Sequence, residues 1–569
     1  MKKSSAVPYV FGGVTALLFL GVVLFVFCPA IHVQNPGLWV LTALTVFIFL
    51  LATHLMQGYR HFIRSDPRQK SSRDASNPFW RPTSRERLAS YKLYLIPLGI
   101  LLIMGLLSLI GSPAFNATAY ADILTVTESD FASDLSESVG TDSIALMDTA
   151  SAQMLGDREI GSLSDVVSQY DVSWDYTQID RGGKPIKVAA LDYAGFFKWF
   201  NNRSVGVGGY VTVDPVSMSG SFHRCAGMKY VPSAYLMEDA YRHLWVQYPT
   251  LMMDNLHFEI DEEGKPYYVA SVMEKRIGLF GGRTVSGCIV MDPVTGDTTR
   301  YDVADIPRWV DVVFHGNLIC EQYNWHGLYQ NGFWNSLFAK KGCKQVTTYT
   351  VSDMVEEEDT EDDAPVSDYG YVAKDGDIWI YTGITSVNGD SSNIGFLLAN
   401  ERTGESRYYV IAGADEKSAM AAAEGEVQEK RYQASFPSLI NIDGHPTYIM
   451  VLKDSGGLVK LYATVNVQQY NLVTTAPTQA ECIAKYKSLL GIDAPSADVD
   501  TGTVTTMTIA SIHPIVIDGD TYIYLADADG HLYKAKAADH ESMLLLNVGD
   551  TVELTLSDTL ILECKKIAA

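Results

Sequence analysis

The chain has 569 residues, of which 47% are apolar, and a formal net charge of −24. Residues 1–112 contain 11 Lys and Arg against three acidic residues, a net charge of +8, which leaves −32 on residues 113–569. An acidic surface of this kind repels phosphate backbones, so the composition excludes nucleic acid as a partner.

Three long apolar runs at the start of the chain predict a membrane anchor, residues 1–115. The runs cover about 8–30, 37–56 and 93–115, and none of them contains Asp, Glu, Lys or Arg. At about 1.5 Å per helical residue, each run is long enough to cross the roughly 30 Å hydrocarbon core of a bilayer. We therefore expect three transmembrane helices, with the lipid bilayer as the first partner of the chain.

The basic residues of this anchor are concentrated in the loop at 58–92. This loop region contains nine Lys and Arg, whereas the loop between the first two runs, 32–36, contains none. Because basic loops stay in the cytoplasm, we expect a multi-pass protein of the cell membrane with a cytoplasmic N-terminus and an extracytoplasmic C-terminal domain. His54 is the one histidine or charged residue inside a run, and this scarcity disfavours transport through the spans.

The rest of the chain has the pattern of a β-rich protein. Residues 116–190 are rich in Ser, Asp and Thr and are predicted to be a stalk or helical lead-in. After them, apolar and polar residues alternate, and pairs such as Asp375-Gly376 and Asp443-Gly444 separate the runs. Such pairs accept the positive φ of a two-residue hairpin turn. The predicted fold class is therefore three transmembrane α-helices followed by an extracytoplasmic α+β region, mostly antiparallel β.

One order of elements occurs twice in the central region. A predicted helix at 233–245 precedes a strand, a turn and a second strand, and a predicted helix at 418–432 precedes the same parts. A Thr-Gly-acid turn also occurs in both copies, at 295–297 and 403–405. We predict two duplicated helix-plus-hairpin modules, 191–350 and 371–494, separated by an acidic linker at 351–370.

The hairpins from Ile260 to Tyr268 and from Ile442 to Tyr448, together with the Asp-Pro-x-Thr-Gly turn at 292–296, resemble the PepSY-type module of bacterial envelope proteins. The resemblance implies a non-catalytic α+β module in a family associated with binding or restraining peptidases. The chain as a whole resembles a functionally uncharacterised family of Gram-positive membrane proteins. The long insert at 304–370 departs from the PepSY pattern, which puts a shared partner in doubt.

Residues 495–569 form the last predicted domain. Short strands, Asp-Gly turns and the Val548 to Val552 segment before a final strand predict a small β-barrel of the OB or SH3-like kind. For the central region the alternative architecture is a β-propeller, because regularly spaced hairpins are also typical of that fold. The two predicted helices between the hairpins weigh against it.

The sequence contains no His-Glu-x-x-His, Gly-x-Ser-x-Gly or phosphate-loop motif. His223 and Cys225 share one strand face at the spacing of an activated thiol, although structural packing is the favoured interpretation. The acidic run at 356–363 lacks the glycine and the ligand spacing of a calcium loop, so we interpret it as a solvated loop. We expect no catalytic residue, no metal site and no cofactor.

The best candidate for a binding site is a segment rich in aromatic and amide side chains, 323–335. Aromatic faces beside amide donors suit a sugar ring or a peptide, and core packing of the rings is the alternative. A second cluster, at Phe196, Phe197, Trp199 and Phe200, is interpreted as core, with membrane-surface contact as the alternative. The predicted binding residues are Trp325, Tyr329, Asn331, Phe333, Trp334 and Asn335.

These patterns favour a non-enzymatic cell-envelope membrane protein whose extracytoplasmic domain binds or scaffolds an envelope protein or a cell-wall glycan. The first alternative is an extracytoplasmic peptidase or cell-wall hydrolase, in which two of the many acidic residues form an acid-base pair. The second alternative is an accessory subunit of a transporter.

Overall fold

The computed structural model describes residues 6–64, 92–135, 146–147, 149–161, 163, 166–350, 365–367, 369–387, 392–492, 503–517, 520–528, 531–536, 543, 546–557 and 560–567. The chain divides into two compact units, Met1–Tyr486 and Lys487–Ala569. The predicted acidic run at 356–363 and most of the predicted linker 351–370 lie outside the described residues.

Two N-terminal helices are long and apolar enough to cross a membrane. They are α1, Val7–Phe27, and α2, Pro36–Arg64, of which the part Pro36–Tyr59 is the candidate span. The two helices pack closely, since a Cβ added to Gly12 of α1 would lie 2.1 Å from Oγ1 of Thr53 in α2. The first two predicted spans are therefore present as helices of suitable length.

The third predicted span, 93–115, is not one straight helix. Helix α3, Leu95–Ile110, has 16 residues and is followed by α4, Pro113–Ala121, at an angle of 48°. The break falls at Gly111-Ser112-Pro113, where proline begins a new helix after a glycine that ends the previous one. At about 1.5 Å per residue α3 is about 24 Å long, shorter than a typical hydrocarbon core.

Four consecutive sheets, all mostly antiparallel, form the β-rich domain, residues 126–476. Each sheet contains a meander of four consecutive strands. Sheet 1 comprises β2 Tyr170–Val172, β3 Thr177–Arg181, β4 Lys184–Tyr193, β5 Val207–Asp214 and β6 Ser219–Met228. Sheet 2 comprises β7 Met252–Ile260, β8 Pro266–Ile277, β9 Gly281–Met291 and β10 Thr298–Asp302.

Sheet 3 comprises β1 Val126–Glu128, β11 Lys344–Val346, β14 Gly370–Lys374, β15 Asp377–Ser386, β16 Ser392–Asn400, β17 Ser406–Tyr409 and β18 Gly413–Ala414, while β12 Thr348–Thr350 pairs with β13 Pro365–Ser367. Sheet 4 comprises β19 Gln433–Ala434, β20 Ser438–Ile442, β21 His445–Lys453, β22 Val459–Asn466 and β23 Val473–Ala476. The helices of this domain are α5 Phe131–Asp134, α6 Thr149–Gly161, α7 Phe196–Asn202, α8 Ala240–Gln247, α9 Gly316–Tyr329 and α10 Glu416–Gly425, with α11 Gln479–Leu489 after it.

Sheets 2 and 3 are buried on both faces, which explains their long apolar runs. In β8, Tyr268 faces a core shared with sheet 1, while Val269 faces a core shared with sheet 3. In β15, Ile380 faces the core shared with sheet 2, while Tyr381 faces a core shared with sheet 4. Side chains that alternate across a strand thus fill two different cores.

The predicted hairpins at the Asp-Gly pairs are present. Asp375 and Gly376 both have positive φ, 59° and 77°, as do Asp443 and Gly444, 49° and 81°. Two consecutive residues with positive φ are the signature of the type I′ turn, whose twist matches that of the flanking strands. These turns set the β14–β15 and β20–β21 registers.

A short helix precedes a four-stranded meander at both positions of the predicted repeat, but the Thr-Gly-acid turn at 403–405 lies in sheet 3 before the second helix, and duplication stays a prediction. In the first copy α8 precedes β7–β10, and in the second copy α10 precedes β20–β23. Both helices begin after an aspartate whose carboxylate accepts a backbone N–H three residues on, Asp239 from Arg242 and Asp415 from Ser418. Such caps satisfy amide groups that the first helical turn leaves free.

Residues 116–190 differ from the predicted stalk, because most of the described part belongs to the β-rich domain. Strand β1 pairs with β17 in parallel, and Phe131 lies in the core between sheets 3 and 4. Ala152 of α6 and Ile179 of β3 lie in the core of sheets 1 and 2. The many Ser, Asp and Thr residues of this stretch concealed its buried positions.

The second unit contains one six-stranded sheet. Its order is β24-β28-β29-β27-β26-β25, and its core includes Leu525, Val552 and Leu554. A six-stranded β unit lies where the small barrel was predicted, and closure of this sheet into a barrel stays a prediction. The strands are β24 Thr503–Thr508, β25 Ser511–Ile517, β26 Asp520–Ala526, β27 Leu532–Lys536, β28 Thr551–Ser557 and β29 Leu560–Lys566.

Candidate functional site

The β-rich domain is hydrogen-bonded to the loop between α1 and α2. The indole Nε1 of Trp245 in α8 donates to the carbonyl of Pro29 at 2.9 Å, and the amide of Ile31 donates to the carbonyl of Pro249 at 2.7 Å. The guanidinium of Arg242 donates to the carbonyl of Phe25 at 2.9 Å. These contacts fix the end of α1 against helix α8.

The hairpin between β8 and β9 contacts the beginning of α2. The side-chain amide of Gln34 donates to the carbonyl of Lys275 at 2.9 Å and accepts from the backbone N–H of the same residue at 3.3 Å. The rings of Trp39 and Phe280 meet edge to face at a centroid distance of 6.0 Å. A reciprocal amide pair and a ring contact thus hold the hairpin beside α2.

The same hairpin also contacts the end of α3. A Cβ added to Gly281 would lie 2.3 Å from the carbonyl oxygen of Gly111, so the backbones of the two segments are in contact. The hydroxyl of Tyr120 in α4 donates to the Gly111 carbonyl at 2.9 Å. The ends of three apolar helices therefore lie against one side of the β-rich domain.

The predicted aromatic segment joins this contact region at α9. The ring of Trp325 meets Tyr120 edge to face at 5.1 Å, and Tyr329 lies 6.2 Å from the same ring. The imidazole of His326 is hydrogen-bonded to the carbonyl of Ala121 at 2.9 Å. Two of the six predicted binding residues thus attach α9 to α4.

The predicted amides hold the loop after α9. The side-chain amide of Asn335 donates to the carbonyl of Lys341 at 2.9 Å and its oxygen accepts from the amide of the same residue at 3.3 Å. Asn331 donates to the same carbonyl at 3.2 Å. Both side chains are engaged with backbone groups of their own loop rather than directed together at one ligand position.

The remaining rings of the segment extend outward. Phe333 lies 5.4 Å from Trp334, and Trp334 stacks on Phe338 at 5.8 Å. Trp334 is 67% exposed and Phe338 is 75% exposed. The six predicted residues therefore form one continuous segment, but they divide into an inner pair of rings, a pair of loop-holding amides and an outer aromatic surface. Ligand binding at this segment stays a prediction.

The second aromatic cluster also divides. Trp199 is buried and its indole donates to the carboxylate of Glu238 at 2.8 Å, as the core interpretation requires. Phe196, Phe197 and Phe200 are 44%, 78% and 55% exposed, so these three rings do not belong to the core. They lie on α7, which is near the helical turn Leu236–Glu238.

A shallow groove lies where β1 meets β17. Its volume is about 500 Å³, within the usual size range of ligand sites. The carboxylate of Asp134 below it accepts from Tyr409 at 2.9 Å and pairs with Arg407 at 3.0 Å. The lining residues are Glu128, Ser129, Asp130, Phe131, Tyr409, Val410 and Ile411.

A cluster of buried ionisable side chains, which the sequence analysis missed, lies between sheets 2 and 3. His257 Nε2 is 2.8 Å from Glu259 Oε1, and the Glu259 carboxylate also accepts the backbone N–H groups of Asp311 and Val312 at 3.0 Å. Burial lowers the pKa of His257, but the hydrogen bond and charge of Glu259 outweigh it, so the pKa is raised. The His-x-Glu spacing on one strand face was the available signal.

Two further carboxyl groups complete this cluster. Burial, followed by the charge of Glu259, raises the pKa of Asp311. Burial raises the pKa of Glu401 to about 8, so this carboxyl is largely protonated at neutral pH. Both side chains are 1% exposed. The cluster can store a proton inside the protein, but it is packed into the core rather than open to a substrate.

The proposed thiol pair is not an activated nucleophile. Nε2 of His223 is hydrogen-bonded to Oγ1 of Thr212 at 2.8 Å, and burial raises the pKa of Cys225 to about 11. A raised pKa disfavours the thiolate that would attack a substrate. Within the described ranges, no group of three His, Cys, Asp or Glu side chains is placed to hold a metal ion.

No protein-family model matches the sequence, and no curated protein matches it. Among solved structures, an apocarotenoid oxygenase mutant from Synechocystis aligns at 10% identity over 54% of this chain and 65% of that one, with a TM-score of 0.16. The GH43_1 enzyme from Xanthomonas citri complexed with xylotriose aligns at 14% identity over 68% and 96%, with a TM-score of 0.17. An exo-β-1,3-galactanase from Phanerochaete chrysosporium aligns at 11% identity over 62% of this chain and 75% of that one, with a TM-score of 0.17. At these TM-scores the likenesses identify no family and no activity for this chain.

Proposed function

We propose that this chain is a non-enzymatic membrane protein of the cell envelope whose β-rich domain binds or scaffolds an envelope protein or a cell-wall component. The observation that carries the proposal is the contact of the β-rich domain with the ends of all three apolar helices. A domain held in this way keeps a fixed height and direction relative to a membrane, as a scaffold requires.

The same contacts support a direction for the domain relative to the membrane. The domain meets the C-terminal ends of α1 and α3 and the N-terminal end of α2, whereas the basic loop 58–92 joins the opposite ends of α2 and α3. Basic loops remain in the cytoplasm. With the bent α3–α4 pair as a third span, these contacts support the proposal that the domain lies outside the cytoplasm. The resemblance to PepSY-type modules supports the same location.

The groove at β1 and β17 is our proposed seat for a cell-wall or peptide partner. Val410 at its edge is 68% exposed beside the acidic groups of Glu128 and Asp130, and the buried rings of Phe131 and Tyr409 lie beneath it. An apolar and aromatic floor with a few polar groups is the usual composition of a binding site.

A sedimentation experiment tests this function. Purified full-length protein in detergent is incubated with insoluble peptidoglycan sacculi. Separately, intact cells that express the protein are treated with a cross-linker. We expect sedimentation or a discrete cross-linked partner, and we expect Val410→Asp to weaken either one. Leu458→Asp is the matched control, since Leu458 is also exposed but lies in the β21–β22 turn. Equal recovery of the parent chain and Val410→Asp would remove the groove from the proposal, and no recovery in either assay would remove the function.

An extracytoplasmic peptidase or cell-wall hydrolase is the second candidate. It ranks second because its one specific observation, the raised pKa of Glu401 beside His257 and Glu259, belongs to a cluster that is packed into the core. Release of soluble fragments from the same sacculi, lost in Glu401→Gln, would establish it. Intact sacculi after prolonged incubation would rule it out for this substrate.

A further inference from the structure

We propose that two exposed aromatic patches of the β-rich domain insert into the interfacial layer of the bilayer that the N-terminal helices span. The first, the Trp334 patch, consists of Trp334, Leu337 and Phe338. The second, the Phe197 patch, consists of Phe197, Phe200, Leu236 and Met237. The inference rests on the membrane anchorage proposed above, and it adds a lipid-binding surface outside the spans.

The Trp334 patch is connected to the end of α3 by a chain of ring contacts. Tyr120, which is hydrogen-bonded to Gly111, contacts Tyr329, and Tyr329 stacks on Phe333 at 6.4 Å. Phe333 in turn contacts Trp334. The patch is therefore connected through consecutive ring contacts to the point at which the third apolar helix ends, and α4, which follows that point, also carries the exposed ring of Phe115.

The Phe197 patch is connected to the end of α1. One guanidinium links them: Arg242 donates to the carbonyl of Leu236 and to that of Phe25, and it lies over the Phe25 ring at 4.5 Å. Phe25 belongs to the last turns of α1. The two patches are thus attached to the ends of two different apolar helices, α1 and α3, and both ends face the β-rich domain.

The chemistry of the patches fits lipid better than an aqueous or a sugar ligand. Tryptophan and phenylalanine partition into the headgroup and upper acyl region, and each buried ring removes a large apolar area from water. The amides beside the Trp334 patch already hold their own loop, so they are not available to orient a sugar. Contiguous exposed apolar surface of this kind marks an interaction site.

Charge supports the same partner. The Trp334 patch is followed directly by Lys340 and Lys341, both exposed, in a region of the chain with a net charge of −32. Basic side chains beside interfacial aromatics attract anionic lipid headgroups. The order Phe-Trp-x-x-Leu-Phe-x-Lys-Lys puts exposed cations next to exposed apolar side chains in one short segment.

Site-specific photocross-linking tests the inference. A photoreactive benzophenone amino acid replaces Phe338, Phe197 or Tyr470 in turn, and the full-length protein is reconstituted in nanodiscs of phosphatidylglycerol and phosphatidylcholine. Tyr470 is the matched control, an exposed aromatic residue, 58%, in the connection between β22 and β23. After illumination, mass spectrometry measures the fraction of protein that carries a phospholipid. We expect lipid adducts at positions 338 and 197 and their loss at position 470.

Adduct levels at 338 and 197 no higher than at 470 would overturn the inference, as would protein adducts in place of lipid adducts at these positions in native membranes. Flotation of the same samples with liposomes after an alkaline wash measures anchorage separately. A chain that floats but gives no lipid adduct contradicts the patches alone, whereas a chain that does not float contradicts the anchor.

Discussion

Glu401 is a carboxyl group held in the interior of the β-rich domain. Its pKa rises from the ordinary 4.5 to about 8 because burial disfavours the charged form. The folded state therefore retains a proton that the unfolded state loses above pH 4.5. Stability consequently falls as pH rises from about 4.5 to about 8, with a slope of up to about 1.4 kcal/mol per pH unit.

Replacement of Glu401 by Gln should remove this slope, because the amide stays neutral at every pH. We expect the melting temperature of Glu401→Gln, measured by differential scanning fluorimetry in detergent, to exceed that of the parent chain at pH 8 by more than at pH 5. Glu263→Gln, in the exposed β7–β8 turn, is the control. Parallel pH profiles for the parent chain and Glu401→Gln would contradict the buried, protonated carboxyl.

The His257–Glu259 pair should be a large contributor to stability. Removal of one partner leaves the other charge buried, at a cost of about 3 kcal/mol. His257→Ala is therefore expected to lower the thermal midpoint substantially. His531→Ala is the control, since it removes a His-Asp pair in which the histidine is 66% exposed and whose contribution is below about 1 kcal/mol. Similar shifts for the two variants would show that the internal pair is not specially important.

At the scale of single residues, the sequence indicated which residues belong to the aromatic segment but not which way they point. Trp325 and Trp334 are both tryptophans on one short segment, yet one packs on Tyr120 and the other is exposed. Burial of each ring depends on α4, which lies some 200 residues earlier in the chain. No local pattern contains that information. The cluster around Glu259 was missed for the same reason, because Asp311 and Glu401 reach it only through tertiary packing.

The β8–β9 hairpin contacts both α2 and the end of α3. Gly281 has no room for a side chain, because an added Cβ would lie 2.3 Å from the Gly111 carbonyl and 2.4 Å from the Tyr120 hydroxyl. Gly281→Ala should push the hairpin away from α3 and α4. Overpacking of this kind costs about 2 kcal/mol.

Hydrogen exchange measured by mass spectrometry tests that displacement. We expect faster exchange in Gly281→Ala for peptides that cover 270–285 and 107–121. Gly161→Ala is the control, since nothing lies within 4 Å of its added Cβ. Unchanged exchange in both regions would contradict the close contact between hairpin and helix ends.

At the scale of elements, turn chemistry and apolar runs predicted much of the fold. Asp-Gly pairs marked the hairpins because their φ values require those residues. The break after α3 was also encoded, in Gly111-Ser112-Pro113, although the uninterrupted apolar run concealed it. The stacking of the four sheets was not predictable. A strand that is buried on both faces has no alternation of apolar and polar residues, so its sequence does not indicate which sheet packs on which face.

The whole molecule combines apolar N-terminal helices with an acidic β-rich domain. Composition alone separated the two regions, because residues 1–112 have a net charge of +8 and residues 113–569 have a net charge of −32. Domain boundaries were harder to predict from composition. Residues 116–190 are polar on average, yet Ala152 and Ile179 are fully or nearly fully buried. Average polarity does not reveal which positions of a strand or helix face the core.

Sided cysteine labelling in intact cells tests the central claim, that the β-rich domain stands outside the membrane on the ends of the helices. Ser217→Cys lies in the exposed β5–β6 turn, and Ser72→Cys lies in the basic loop 58–92. Each is treated with a membrane-impermeant maleimide. The account predicts that Ser217→Cys is labelled in intact cells and that Ser72→Cys is labelled only after permeabilisation. Labelling of Ser72→Cys in intact cells, with Ser217→Cys protected, would contradict it.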